Sequence, residues 1–238
     1  MTGHRLNHHQ AISSALKKFN NVFLQEHNII FGGGTRIALE INEFRESVDI
    51  DFLCPNKESY KAVREQATNI SLGLLVKQDF KYLRPIVFDR YAVRTWIEHE
   101  GSSIKLEFVS FDNYELKSEL NTELFPIPAL DHNSCYYTKL LANADRKLAP
   151  PHKDIIDLLA MRSEWGRIPN NAIDLAVTHY GRPTVIGSMI KALEHIQKNV
   201  AEYKQNASDL SISREYANVL IDKYVPILLS EARQDLSE

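Results

Sequence analysis

Apolar residues recur at helical spacing over residues 8–27, where Ile12, Ala15, Leu16, Phe19, Val22 and Phe23 predict one amphipathic helix. His8 and His9 stand at its start and read as solvated. A short apolar run, Ile29-Ile30-Phe31, stops at three consecutive glycines. Residues 35–41 then read as a short helix, and 48–53 as a strand with Val48, Ile50 and Phe52 on its buried face. Residues 57–72 are polar-rich with helical spacing. Over 86–110 the period changes to two, most simply two or three antiparallel strands. Beyond about residue 130 the pattern is helical to the end. Pro150-Pro151 breaks one helix and lets another start, Pro169 opens a third that Gly181 closes, and Pro226 predicts a kink in the last. The switch divides the chain into an α/β domain over 1–130 and a helical domain over 131–238.

The chain has 238 residues, 44% of them hydrophobic and 25% charged, which suits one large soluble domain or two small ones. A net charge of −3 excludes a bulk polycation that coats nucleic acid and leaves only a local basic groove open. Arg84, Arg90 and Arg94 could line such a groove, although scattered surface arginines are the simpler reading. Two cysteines, Cys54 and Cys135, form neither a disulfide framework nor a metal-binding pair, which suggests a reducing, cytoplasmic setting. The amino terminus lacks a signal-peptide core, and no apolar stretch nears the ~18 residues of a membrane span. Metalloprotease, zinc-finger and hydrolase-nucleophile motifs are absent.

The chemistry concentrates in FGGGTRIALEINEFRESVDIDF, residues 31–52. Asp49 and Asp51, two apart on a strand, project from one face. Like charges so close disfavour each other unless a cation lies between them. Hard divalent ions with oxygen ligands solve that problem, and Mg²⁺ is the usual choice beside phosphates. A pair of ions about 3.5–4 Å apart can activate an attacking hydroxyl and stabilise a leaving oxygen. Gly32, Gly33 and Gly34 end a strand and open a helix, an arrangement whose backbone N–H groups can cradle phosphate, with the Thr35 hydroxyl alongside. A glycine run alone is more often a plain turn, and two strand aspartates alone are often a solvated edge. Their combination carries the argument: 13 residues separate Thr35 from Asp49, room for a short helix and a return to an adjacent strand.

Gly34-Thr35, that 13-residue interval and Asp49-Ile50-Asp51 resemble the signature of the DNA polymerase β-type nucleotidyltransferase superfamily. Arg45, Ser47, Asp49 and Asp51 in R-x-S-x-D-I-D narrow the resemblance to the AbiEii/AbiGii nucleotidyltransferase toxins, which include the MenT toxins. The resemblance implies an α+β fold: a polymerase-β-like mixed sheet with flanking helices, then a C-terminal helical bundle that completes the active-site cleft. It implies a third metal carboxylate, for which Glu107 in IKLEFVSF fits, with Glu where the family has Asp. A charge on that face of a central strand needs a reason, and the alternative reading of Glu107 is a surface residue paired with Lys105. It further implies that residues 136–161 match the family's second conserved region, in which Lys139 reaches the triphosphate, Arg146 adds charge, and Asp154 acts as a base or orients Lys139. Lys139, Asn143 and Arg146 share one helical stripe opposite an apolar stripe of Leu141, Ala144 and Leu148, with Asp157 as a helix brace. Read alone, this segment is an exposed charged face.

The expected activity is therefore transfer of a nucleoside monophosphate from an NTP to an acceptor hydroxyl. Asp49, Asp51 and Glu107 would hold Mg²⁺, with two ions expected and Mn²⁺ an alternative. Gly33, Gly34, Thr35, Arg45, Ser47, Lys139 and Arg146 would serve the nucleotide. The resemblance implies an RNA acceptor such as the tRNA 3′ end, growth arrest as the outcome, and a separately encoded antitoxin. Two other readings stay open at this point: a small-molecule nucleotidyltransferase of the antibiotic-modifying kind, and a catalytically silent nucleotide-binding module.

Overall fold

The computed structural model describes residues 6–120, 123–146 and 148–237. The chain forms two compact units, Met1–Glu43 with Ser47–Asp131, and Phe44–Glu46 with His132–Glu238.

The first unit is built on one mixed sheet. In chain order it contains α1 (Asn7–Leu16), α2 (Asn21–Glu26), β1 (Ile30–Gly32), α3 (Gly33–Glu40), β2 (Asp49–Cys54) and α4 (Lys57–Gln66). There follow β3 (Lys81–Tyr82), β4 (Val87–Phe88), β5 (Ala92–His99), β6 (Ser102–Ser110), β7 (Ser118–Glu119) and β8 (Ala129–Leu130). The strand order is β3-β5-β6-β2-β1-β8-β7, with β4 also paired to β5. β2 runs parallel to β6 and antiparallel to β1. Alternation along the central strands puts Ile50, Phe52, Ile104, Leu106 and Phe108 into the core, each at most 1% exposed. There Phe52 stacks on Phe108 at 4.8 Å, and Phe19 and Phe31 meet Phe52 at 4.7 and 6.1 Å. The opposite face of the same strands is left for polar residues. Val48 lies outside β2 and is exposed, contrary to its expected place on the buried face.

The expected single helix over 8–27 is two helices. The Asn20 side chain accepts the Phe23 N–H and caps α2, so the chain turns there instead of continuing. Likewise the helix expected over 57–72 stops at Gln66, where the Thr68 hydroxyl accepts from the Ser71 N–H and stabilises a turn.

The second unit is helical: α5 (His132–Arg146), α6 (Lys153–Trp165), α7 (Asn170–Tyr180), α8 (Arg182–Lys198), α9 (Val200–Asp209), α10 (Arg214–Asn218) and α11 (Val225–Ser237). Pro169 and Gly181 bracket α7 as the sequence predicts. Before Pro226, residues Val219–Tyr224 widen into a π-helix, the local answer to a proline that cannot donate into the helical ladder. Among the described residues no helix is long and apolar enough to cross a membrane.

Candidate active site

The glycine turn is closed onto the strand aspartates. Gly32 is the register partner of Asp51, and Gly33 follows at φ +69°, a conformation that disfavours any side chain. A Cβ at Gly33 would overlap the Asp51 carboxylate and stand 3.0 Å from both Asp51 Cβ and Cγ. Gly33 and Gly34 open α3 from this point, so its first turn begins beside Asp51. Thr35 is fully buried. Its hydroxyl donates to the Asp49 carbonyl at 2.5 Å and lies 2.8 Å from Ser47 Oγ. Thr35 and Ser47 thus lock the start of α3 to the start of β2.

Two rows cross the sheet on the polar face. One runs from Arg94 on β5 through Glu107 on β6 to Asp51 on β2 and Gly32 on β1. The other runs Trp96, Lys105, Asp49. The three carboxylates expected from sequence therefore share one face in adjacent strands, oxygen donors of the type a hard divalent cation takes. Glu107 is already matched: Lys105 Nζ donates to Oε2 at 2.6 Å and Arg94 Nε to Oε1 at 3.0 Å. Burial pulls the Lys105 ammonium pKa down, but the bond to Glu107 and the charges of Glu107, Asp49 and Asp51 leave it raised. The donor types suit a divalent ion, but the three carboxylates do not bring their oxygens within 4.8 Å of one another, so one ion shared by all three would require Glu107 to leave its two cations.

Arg94 is the residue sequence reasoning set aside among scattered arginines. The signal that could have found it is the two-residue turn Glu100-Gly101, with φ +48° and +76°, which joins β5 to β6. That turn fixes the register and places Arg94 opposite Glu107.

His9 is a correction. It is fully buried, not solvated, with Nδ1 2.8 Å from Glu43 Oε1 and Nε2 accepting from the Ser47 N–H at 3.1 Å. One ring thereby ties together the two residues that bracket segment 44–46.

In the helical unit, Arg45, Lys139, Arg146, Asp154 and Asp157 form one ion network. Arg45 donates from Nε and Nη2 to the two oxygens of Asp157 at 2.6 and 3.0 Å, a bidentate pair. Lys139 Nζ lies 2.6 Å from Asp157 Oδ2 and 3.1 Å from Asp154 Oδ1. Arg146 completes the set with two bonds to Asp154 at 2.6 and 2.7 Å. Burial would raise the Asp154 carboxyl, yet Lys139 and Arg146 outweigh it and hold it at about 2. The same opposition, with Arg45 and Lys139 as the cations, keeps Asp157 below the ordinary carboxylate range. Lys139 is buried too, and the two aspartates raise its pKa against desolvation. An exposed charged face is therefore the wrong description of this segment: Lys139, Asn143, Asp154 and Asp157 are all buried, while Leu148 of the expected apolar stripe is 41% exposed. The Arg45 guanidinium is spent on Asp157 and on the Glu46 carbonyl at 2.8 Å.

A sequence model of the nucleotidyl transferase AbiEii toxin family, of the Type IV toxin–antitoxin systems, matches residues 14–228. Two solved structures share the fold. A candidate nucleotidyltransferase from H. pylori is 13% identical with a TM-score of 0.56, over 98% of this chain and 98% of that one. JHP933 from Helicobacter pylori is 14% identical with a TM-score of 0.53, over 96% and 93%. No curated protein gives a sequence match.

Proposed function

Because the chain belongs to the AbiEii nucleotidyl transferase toxin family, it is a nucleotidyltransferase, and we propose that it moves an NMP from an NTP to a hydroxyl of RNA, such as the tRNA 3′ end. In this reaction the acceptor oxygen bonds to the α-phosphorus, the α–β phosphoanhydride bond breaks, and pyrophosphate leaves with that electron pair. The acceptor proton passes to solvent or to a nearby carboxylate. The observation that carries the reading is the Gly33 turn closed on Asp51, with Asp49 and Glu107 on the same face.

Asp49, Asp51 and Glu107 would hold Mg²⁺, or Mn²⁺ in its place, as one or two ions. When bound, the metal lowers the pKa of the acceptor hydroxyl and offsets phosphate charge. The chain's own residues supply the rest. Backbone N–H groups of Gly33 and Gly34 offer donors to the phosphates, and the missing side chain at Gly33 lets the turn close on the Asp51 carboxylate. Thr35 and Ser47 hold that turn against β2. Lys105 and Arg94 hold Glu107 by hydrogen bonds, and both would have to release it for Glu107 to serve a metal. In the helical unit, Asp154 and Asp157 keep Lys139 charged, and Lys139 and Arg146 are assigned to the triphosphate, with Arg45 bracing Asp157. The Type IV family further implies an antitoxin partner, which we take to be separately encoded, and the buried Cys54 and Cys135 thiols suit a cytoplasmic protein.

The test is incubation of the protein with a purified tRNA pool, Mg²⁺ and each of four α-labelled NTPs. Label on RNA supports the reading. Label released only as free nucleotide, or carried by a small-molecule acceptor, overturns it.

A further inference from the structure

The polar face of the sheet does not end at the carboxylates. Beyond Glu107 and Lys105 lie Arg94 and Trp96 on β5, and beyond Arg94 its register partner Val87 on β4. Strands are about 4.8 Å apart, so β5 begins within about 10 Å of β2. Arg84 places its guanidinium 5.5 Å from the Trp96 ring centroid. At the turn between β4 and β5, Arg90 lies 4.5 Å over the ring of Tyr91, which is 55% exposed. Residues 81–96 carry four basic residues and one acid, Asp89, in a chain whose net charge is −3. That single acid is bound to Arg94 at 3.1 Å.

We propose that this β4–β5 margin is the seat of a single-stranded RNA acceptor, with bases stacking on Trp96 and Tyr91 and phosphates on Arg84 and Arg90. The inference rests on the RNA-acceptor reading above and adds where the strand lies. Aromatic planes joined to guanidinium groups are how proteins hold unpaired nucleotides, because every base has a π-face and every linkage a negative charge. Both rings lie under arginines, with the exposed apolar side chains of Leu83 and Val87 beside them. The sheet register sets the distance: Glu107 and Lys105 lie one strand from β5, level with Arg94 and Trp96, and Asp51 and Asp49 lie one strand further. Arg94 joins the two regions, since it is bonded to Glu107 on one side and to Asp89 on the other.

The experiment is fluorescence anisotropy of the full-length protein with a short 5′-labelled single-stranded RNA that has a free 3′ hydroxyl, without NTP, at two salt concentrations. Tyr91→Ala and Trp96→Ala should each weaken binding about fivefold or more, the loss of one stacked base. The Arg84→Ala/Arg90→Ala double variant should reduce the slope of log affinity against log salt by about 1.4, at about 0.7 per neutralised phosphate. Thermal melts check that the variants fold, and Tyr91→Phe should restore binding. RNA affinity and salt slope equal to the parent in the folded variants would overturn the proposal. Labelled transfer to RNA is measured in parallel. Unchanged transfer in these variants sinks the surface and leaves the RNA-acceptor reading standing. Binding through these residues without transfer to any RNA sinks that reading instead.

Discussion

Lys105 and Glu107 lie two apart on β6, on one face of the sheet, joined at 2.6 Å directly opposite Asp49 and Asp51. The third carboxylate of the face is therefore held by a cation from its own strand, and by Arg94 from the next. Any divalent ion that uses Glu107 competes with two side chains already in place.

Removing the nearer competitor should strengthen metal binding. The Lys105–Glu107 pair is partly exposed and screened, worth about 0.5–1 kcal/mol, or two- to fivefold in affinity. Lys105→Met should bind Mn²⁺ that much more tightly than the parent, measured by electron paramagnetic resonance titration. Weaker binding would mean that Lys105 assembles the carboxylates instead of competing for them.

Gly33 tests the turn. Alanine there must hold φ near +69° and push its Cβ into the Asp51 carboxylate. Left-handed backbone strain together with the overlap should cost about 1–3 kcal/mol of stability. Nucleotide transfer should fall further than stability alone explains. Urea unfolding and transfer assays on Gly33→Ala read the two effects separately; wild-type stability would show that the turn tolerates a side chain.

Asp157 stands between two buried cations, Arg45 and Lys139. Asp157→Ala leaves both without their shared anion, and losing one partner of a buried ion network costs about 3–5 kcal/mol. Urea denaturation should find a loss in that range. A loss below about 1 kcal/mol would mean the network relaxes easily around the gap.

Acid should release the same network. Asp154 and Asp157 have depressed pKa values in the folded protein, so their stabilisation is present above the unfolded value near 3.8 and fades as pH falls toward the folded value. For Asp154 the window runs from about pH 4 to about pH 2 and amounts to about 2 kcal/mol. Melting temperatures across that window should drop more steeply for the parent than for Asp154→Asn. Parallel curves would remove Asp154 from the account.

The fold was readable where pattern and length agree. The amphipathic helices, the alternation through β5 and β6, and the three glycines where β1 passes into α3 all left period or punctuation in the sequence. Strands of two residues, β7 and β8, are too short to leave a period, and they extend the sheet beyond β1 unannounced. Asn20 starts a separate helix and Thr68 forms a turn after α4, through side-chain bonds that compete with apolar spacing. At the candidate site, the aspartates and glycines were visible because neighbours in sequence are neighbours in space. The burial of Lys139 and Asp157 was not, because the partner that makes it tolerable, Arg45, lies 112 positions away from Asp157 in the chain. His9 escaped for the same reason, since Glu43 and Ser47 sit more than thirty positions on.

The measurement that bears most directly on the account is single-turnover transfer from an α-labelled NTP to tRNA by the parent and by Asp51→Asn. Asn keeps the size of the side chain beside Gly33 and removes its charge. The account predicts that the variant melts near the parent temperature and loses transfer by at least about a hundredfold, on the order of 2.7 kcal/mol. Transfer within a few fold of the parent would contradict the assignment of this face as the reaction centre.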